Sequence, residues 1–500
     1  MTEPTVFLTG ATGLVGSQIL HRLLRADVPV CVLCRKDNRG TAQQRLEAAL
    51  MPFEEDALLP RPRVITGELG KPDCGVSSQD LEWLQGREVS VVHSAASIRF
   101  QEDSSGEPYA TNVAGTRNLL QLCNLLQVRD FHHVSTAYVG GRGGGSEAVL
   151  ESADLDLESA GNDYERSKIQ AEALVQSSSV PSGRTVIHRP SIVVGDSKSH
   201  RTTTFHGFYA PLQIGAQYAQ AFGFSKGMGE WFREQLGLSP DDVKNLVPVD
   251  WVADCVAQVV QDESISAGVY HWTHASPVSA VVMQDAITDS IERLFSDSHE
   301  SSSSDARTEQ PAAGAFREQM SIYESYFKCD PQFDVSRARQ VTQQLPCPTV
   351  DYEFLCSLSD FALQSNFGWP KPQLPDLQQE SEWVHRIRGF DATCGTCPDV
   401  AALADFQFEL RLLGKGAPES IFVVKEGARW FATSSAATSD VEYHWQVSMP
   451  LDVLTGCFTR TTRLLDTFQN GRGVALGRMP ANWLAIIEHW IHDVIAQSAS

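Results

Sequence analysis

Nowhere in the 500-residue chain do about 18 or more apolar residues run together, so no membrane-spanning helix and no stable membrane insertion are expected. Basic residues are also in short supply. The 40 Lys and Arg stand against 62 Asp and Glu, a formal net charge of −22. A partner held through its phosphates needs the opposite balance, so nucleic acid is excluded as a ligand. No charged segment followed by an apolar run precedes Thr5, and on that ground no secretory signal is expected and a cytoplasmic location is. The 11 cysteines are scattered and odd in number, which reads as reduced, mostly buried thiols rather than a disulfide framework. Cys31 and Cys34 in "VPVCVLCR" fall in a strand-like run, where residues three apart point to opposite faces. Cys394 and Cys397 in "DATCGTCPDV" have a loop spacing that permits pairing, but no second CxxC lies near them. His489 and His492 lie three apart on a helix-like segment with no further ligand, and no metal is expected. No internal repeat is evident.

What the chain does have is alternation. From residue 5 to about 275, short apolar runs ("TVFLTG", "VCVLCR", "RVITGEL", "VSVVHSAA", "DFHHVSTAYV", "RTVIHRPSIVVG") are separated by segments, several with helical periodicity. That pattern predicts an α/β fold with a doubly wound parallel sheet of the Rossmann type, whose sites lie at the carboxyl ends of the strands. One ring of the pair His132 and His133 is expected inside such a sheet. The serine-rich stretch at 296–314 reads as a mobile insertion, followed by a helical segment up to Cys329. From about 400, "FQFELRLL", "SIFVVKEG", "RWFATSS" and "VEYHWQVSM" read as successive antiparallel strands, and "PLDVLTGCFTRTTRLLDTF" and "PANWLAIIEHWIHDVIAQ" as amphipathic helices. The domain organisation expected is therefore 1–375, with a core over about 1–195 and a substrate-binding part over about 196–375, then a linker over 376–394 and an α+β domain over 395–500.

Gly10, Gly13 and Gly16 fall between the first strand and the first helix. Lacking Cβ atoms, Gly10 and Gly13 can admit a pyrophosphate to the backbone, and Gly16 can let helix and strand pack closely. The helix start then offers free amides and the positive end of its dipole. The spacing GxxGxxG is one residue longer in its first interval than the usual dinucleotide fingerprint. At the end of the second strand stands Arg35, where an acid would hold a ribose 2′-hydroxyl; an arginine favours a 2′-phosphate and hence NADP(H). Arg45 is a candidate second cation, with a solvated surface arginine as the alternative.

Tyr164 and Lys168 in "NDYERSKIQAEALV" are four apart and share a helix face. Chemistry at a carbonyl needs a proton donor, and a neighbouring ammonium makes a phenol a better one. Ser135 and Thr136 supply hydroxyls able to hold a substrate oxygen, and Asn112 lies in "YATNVAGTRNLL".

With these motifs together, residues 5 to about 280 resemble the extended short-chain dehydrogenase/reductase superfamily. Within it they are most similar to the thioester reductase and male-sterility-type fatty acyl reductase branch. The carrying motifs are "VFLTGATGLVG", "VITGELGKPDCGVS", "VVHSAASIRF", "TNVAGTRNLL", "HVSTAYV", "YERSK", "RPSIVVGDS" and "NLVPVDWVAD". The resemblance implies that Thr136, Tyr164 and Lys168 carry catalysis. It implies a cofactor site built from Gly10, Thr12, Gly13, Leu14, Val15, Gly16, Arg35, Arg45, Glu68, Leu69, Ser94, Ala95, Ala96, Asn112, Ser135, Tyr164, Lys168, Pro190, Ser191, Ile192 and Val193. Glu68 departs from the family's usual aspartate near the adenine. The implied activity is NADPH-dependent reduction of an acyl thioester, borne by coenzyme A or a carrier protein, to aldehyde or alcohol. A ketone or secondary-alcohol dehydrogenase shares all three catalytic residues and stays open as the alternative; a non-enzymatic lipid-binding or redox-sensing protein is disfavoured by their presence together. The tail, through "VEYHWQVSMPLDVLTGCF" and "GVALG", resembles a sterol-carrier-protein-2-type domain, which implies an apolar tunnel for acyl chains or sterols.

Overall fold

The computed structural model describes residues 4–53, 59–141, 148–158, 160–180, 182–222, 227–235, 237–297, 329–371 and 374, then 391–393, 406–413, 419–426, 429–433, 443–450, 454, 457, 474–478 and 483–498. Cys394, Cys397, most of the linker, residues 298–314 of the serine-rich stretch and nearly all of the helical segment after it lie outside the described residues. The helix preceding that stretch runs to Asp297, so residues 296 and 297 are helical rather than part of an insertion.

The strands of the first half are β1 (Pro4–Thr9), β2 (Val30–Cys34), β3 (Arg63–Thr66), β4 (Glu88–His93), β5 (Phe131–Val134), β6 (Thr185–Pro190), β7 (Ile192–Val194), β8 (Val243–Lys244), β9 (Leu246–Pro248), β10 (Gly268–Trp272) and β11 (Val278–Ser279). Seven of them form one sheet in the order β10-β6-β5-β4-β1-β2-β3. The pairs β1–β4, β4–β5, β5–β6 and β6–β10 are parallel. The strands read as near-continuous apolar runs because helices cover both faces; β1 buries five of its six residues and β2 all five. The strand order reverses between β1 and β4, which opens a crevice at their carboxyl ends.

The helices are α1 (Leu14–Arg25), α2 (Ala42–Leu50), α3 (Ser78–Gln85), α4 (Thr116–Leu126), α5 (Asp163–Ser177), α6 (Tyr209–Phe222), α7 (Met228–Gln235), α8 (Val249–Gln261), α9 (Ala280–Asp297), α10 (Arg339–Thr342) and α11 (Tyr352–Gln364). Asn162 caps α5 by accepting the Glu165 amide, which fixes the register of the helix that carries Tyr164 and Lys168. A π-helical turn, Ala110–Gly115, leads into α4.

By packing density the chain gathers into two compact units, Met1–Arg22 with Thr66–Pro372 and Leu23–Ile65 with Gln373–Ser500. In the first, an apolar core beside the sheet gathers Phe208, Tyr209 and Leu212 of the α6 region, Ile291 of α9, and Leu355 and Leu358 of α11. In the second, β12 (Asp391–Thr393), β13 (Phe406–Leu413), β14 (Glu419–Glu426), β15 (Arg429–Thr433), β16 (Tyr443–Pro450) and β17 (Val474–Arg478) form a six-stranded sheet. Its order is β12-β15-β14-β13-β16-β17. The expectation of successive antiparallel strands fails at one pair: β13 and β16 run parallel. Strand β16 docks on the free edge of β13 rather than beside β15, and a return to that edge in the same direction requires a crossover. The closing helix α12 (Trp483–Ser498) buries Ile487, Trp490 and Val494, and the Trp490 ring meets Phe408 edge-on at 5.6 Å. His489 and His492 face solvent. The helix expected over 450–468 falls outside the described residues apart from Pro450, which ends β16, and buried Leu454 and Cys457.

Candidate active site

The turn after β1 is shaped by steric need. Gly10 has φ +79°, and a Cβ there would stand 2.5 Å from the Ala95 amide nitrogen. A Cβ on Gly16 would stand 2.1 Å from the Gly10 carbonyl oxygen. Gly10 therefore seats the turn against the segment after β4, and Gly16 lets α1 begin directly on that turn. Gly13 is the most open of the three, since its Cβ would meet only the Gly10 carbonyl, at 3.3 Å. The first turn of α1 aims backbone amides without helical partners at this end of the sheet.

Gly13, Leu14, Val15 and Gly16 line a cavity of about 300 Å³ together with Ser94, Ala96, Ser135, Thr136, Tyr164, Lys168, Pro190, Ser191, Ile192 and Val193. These come from the start of α1, the carboxyl ends of β4, β5 and β6, strand β7 and helix α5. Sequence reading missed Ile98, Phe100, Val134, Tyr138, Thr204, His206 and Gly207, which line the same cavity. Ile98 and Phe100 follow β4 and obey the same carboxyl-end rule. Thr204 to Gly207 carry no local signal, since only the path of the chain after β7 brings them there.

Within the cavity, Lys168 is buried and its Nζ donates to the Val134 carbonyl at 2.7 Å. Burial pushes its ammonium down to about 8, and Glu172, one turn further along α5, opposes that shift. Glu172 and Arg189 form a fully buried ion pair, with Nε 3.1 Å and Nη2 2.5 Å from Oε1. The Tyr164 phenol stands above its ordinary value, because of burial first and Glu165 second. The expectation that Lys168 makes this phenol more acidic is thus outweighed here by desolvation. Phe100 packs near the Tyr164 ring, with centroids 6.0 Å apart.

Several expected residues support the cavity without lining it. Asn112 accepts the Ser97 amide at 2.7 Å and donates to the Ser97 carbonyl and to Ser167 Oγ, both at 2.8 Å. Its amide is spent clamping the segment after β4 to α5. Ala95 donates its amide to Thr9 Oγ1, and Thr12 sits in the glycine turn. Leu69 accepts from Asn118, while Glu68 points its carboxylate to Lys71 at the surface, 3.4 Å away. In the other unit Arg35 is exposed just past β2; Arg45 donates to the Arg35 carbonyl at 2.6 Å and pairs with Asp37 at 3.1 Å. Arg45 is therefore a bound cation rather than a solvated one.

Both histidines of β5 are buried, not one. His93 bonds to Thr9 and Thr116, and His132 to His188. Burial drives the His93 and His132 imidazoles down to about 3, so both are neutral. Among the described residues no cluster of three or more His, Cys, Asp or Glu could hold a metal, and no helix is long and apolar enough to cross a membrane. The described cysteines, Cys31 and Cys34 included, are free thiols.

Comparison with known proteins agrees with this fold. The family described as "Male sterility protein" matches residues 8–256. The L-2-aminoadipate reductase large subunit of Penicillium chrysogenum is 31% identical over 282 residues, which is 51% of this chain and 18% of that protein. Fatty acyl-CoA reductase wat of Drosophila melanogaster is 27% identical over 278 residues, 49% of this chain and 52% of that one. The chain thus spans about half or less of the length of these relatives. Among solved structures, the terminal R domain from the myxalamid PKS-NRPS biosynthetic pathway aligns with 75% of this chain and 93% of its own, at TM-score 0.56 and 21% identity. The reductase (R) domain of a nonribosomal peptide synthetase from Mycobacterium tuberculosis gives 73%, 93%, 0.50 and 19% respectively. Both share the Rossmann-like fold of residues in the first half.

Proposed function

From the male sterility match over residues 8–256, we propose that the chain is an NADPH-dependent reductase that converts an acyl thioester to an aldehyde, and onward to an alcohol where a second hydride is delivered. The observation that carries this reading is one cavity holding the phosphate-type glycine turn and the set Thr136, Tyr164 and Lys168. The relatives support the substrate class, because they are named as reductases of fatty acyl-CoA and of 2-aminoadipate and as reductase domains of peptide synthetases. Coenzyme A or a carrier protein is the thiol donor in this reading.

The residues present fit a dinucleotide: Gly13 leaves backbone open at the start of α1, and the amides there suit a pyrophosphate. When bound, the reduced nicotinamide supplies a hydride. Thr136 holds the thioester carbonyl oxygen by a donated hydrogen bond, and Tyr164 gives it a proton as charge develops. Lys168, held by the Val134 carbonyl and backed by Glu172, keeps a positive charge in the cavity that favours the anion Tyr164 becomes once its proton is given. The resulting hemithioacetal breaks its C–S bond and releases aldehyde and thiol. Arg35 is the cation for a 2′-phosphate, with Arg45 holding the backbone of Arg35 in place. The sheet and helix of the tail, layered through Phe408 and Trp490, support a sterol-carrier-like role in holding hydrocarbon.

The test is incubation with NADPH and a panel of acyl thioesters, aldehydes and ketones, following reduced-cofactor absorbance together with free thiol. Thiol released in step with NADPH consumption supports the proposal. Turnover of ketones alone, with no thiol released from thioesters, replaces it with a ketone or secondary-alcohol dehydrogenase.

A further inference from the structure

Seven hydroxyl-bearing side chains line the cavity, and the structure treats them unequally: Ser94, Ser135, Thr136, Tyr138, Tyr164, Ser191 and Thr204. Two of them are spent behind the wall. Tyr138 donates to the buried carboxylate of Asp330 at 2.8 Å, and Ser191 donates to Asn245 Oδ1 at 2.7 Å. Both acceptors are themselves held: Asp330 accepts from Lys244 Nζ and the Asn245 amide, and Asn245 Oδ1 accepts the His274 amide. Neither hydroxyl can turn to a substrate without abandoning a buried acceptor, a costly exchange.

Ser135 is the opposite case. The residue is 4% exposed, and among the described residues it is the one cavity-lining residue whose hydroxyl oxygen is fully buried and makes no hydrogen bond. A buried hydroxyl normally finds a partner within the protein, so an orphan at the wall of a reactive cavity marks a place reserved for a ligand atom. Its backbone is rigidly placed: the Ser135 amide donates to the His188 carbonyl at 2.7 Å, and the preceding carbonyl, that of Val134, receives Lys168 Nζ. The orphan donor thus sits one residue from the lysine's anchor and next to Thr136.

We propose that Ser135 is a further catalytic residue, a second hydrogen-bond donor to the substrate carbonyl oxygen, rather than a cofactor contact. The inference rests on the reductase reading above. As hydride adds to the carbonyl carbon, the π pair moves onto oxygen; Ser135 and Thr136 each donate a hydrogen bond to that oxygen, and Tyr164 supplies the proton. Ser135 itself neither gains nor loses one. Two fixed donors aimed where charge develops stabilise the transition state more than the ground state.

The test compares Ser135→Ala and Ser135→Thr with the unaltered full chain. Turnover is measured on the panel of thioesters, aldehydes and ketones, and NADPH affinity by calorimetry. Loss of one such donor lowers kcat about 10²–10³-fold. The expected result is that loss in Ser135→Ala, an NADPH dissociation constant within about threefold of the unaltered chain, and substantial recovery in Ser135→Thr, which restores a hydroxyl. An unchanged kcat in Ser135→Ala overturns the proposal and leaves the reductase reading standing. A loss of NADPH affinity in proportion to activity also overturns it, by making Ser135 a cofactor contact. Turnover of ketones but not thioesters sinks the thioester reading, while the same Ser135 comparison on ketones still decides the donor. An unaltered chain that reduces none of these carbonyls overturns both.

Discussion

The two large sheets of this protein bury different things. At the carboxyl ends of the seven-stranded sheet, His93, His133, Ser135, Thr136, His188 and Arg189 are all interior, as are Lys168 and Glu172 of α5. In the six-stranded sheet the interior among the described residues is Phe406, Phe408, Leu410, Ile421, Val423, Val424, Trp430 and Val447 with Ile487 and Trp490 of α12, and Gln407 and Lys425 are the polar exceptions. Polar burial costs stability unless every group is matched, so a fold that accepts so much of it at one end of one sheet is trading stability for chemistry there. The apolar sheet carries no such mark among the described residues.

The sharpest way to break that contrast is Tyr164→Phe. The ring stays and the proposed proton is gone, so turnover should fall about 10²–10⁴-fold while calorimetry still detects NADPH binding. Unaltered turnover would mean that the polar end holds its acid elsewhere. Next in size is Glu172→Gln, which leaves Arg189 charged and unpaired at zero exposure. Breaking one partner of such a pair costs about 3–5 kcal/mol, read as a shift in the urea midpoint. Replacing both partners by apolar residues of similar volume should return most of that loss. Recovery would identify Glu172 and Arg189 as a pair whose worth is mutual.

Acid should act through the buried imidazoles. His93 and His132 stand at about 3 in the folded chain against an ordinary 6.5. The unfolded chain therefore binds more protons below about pH 6.5, and stability present above that pH is lost as pH falls toward 3. Each of the two should contribute a loss of about 2 kcal/mol between pH 7 and pH 5. Denaturant titrations of His93→Gln at both pH values check this: a pH dependence no smaller than that of the unaltered chain would remove His93 from the account. The smallest effect concerns the cofactor. Arg35→Ala should lower the preference for NADPH over NADH roughly tenfold to a hundredfold, the worth of about 1.5–3 kcal/mol for a charge-assisted contact to phosphate. Equal affinity for both cofactors in the unaltered chain would refute it.

Much of the first half is legible in the sequence, because its signals are local. The strand–turn–helix at residues 4–25 carries its own punctuation, and a Tyr and a Lys four apart on α5 must share a face. The parallel β13–β16 pair is not legible there, since alternating residues in a strand say which face is inside but not which neighbour lies alongside. The two buried histidines of β5 are half legible for a related reason. Alternation places their rings on opposite faces, and only helices covering both faces bury both.

By itself, then, the sequence determined the Rossmann-type order of elements, the glycine turn and the shared helix face of Tyr164 and Lys168, since periodicity and turn chemistry act between residues close along the chain. Tertiary structure alone decided that Gly10 seats the turn against Ala95 while Gly13 stays open, that Tyr138 and Ser191 donate hydrogen bonds to Asp330 and Asn245, and that the Ser135 hydroxyl makes none. A hydroxyl's availability depends on which acceptor the fold brings within about 3 Å. Asp330 lies 192 residues from Tyr138, and no local pattern spans that distance.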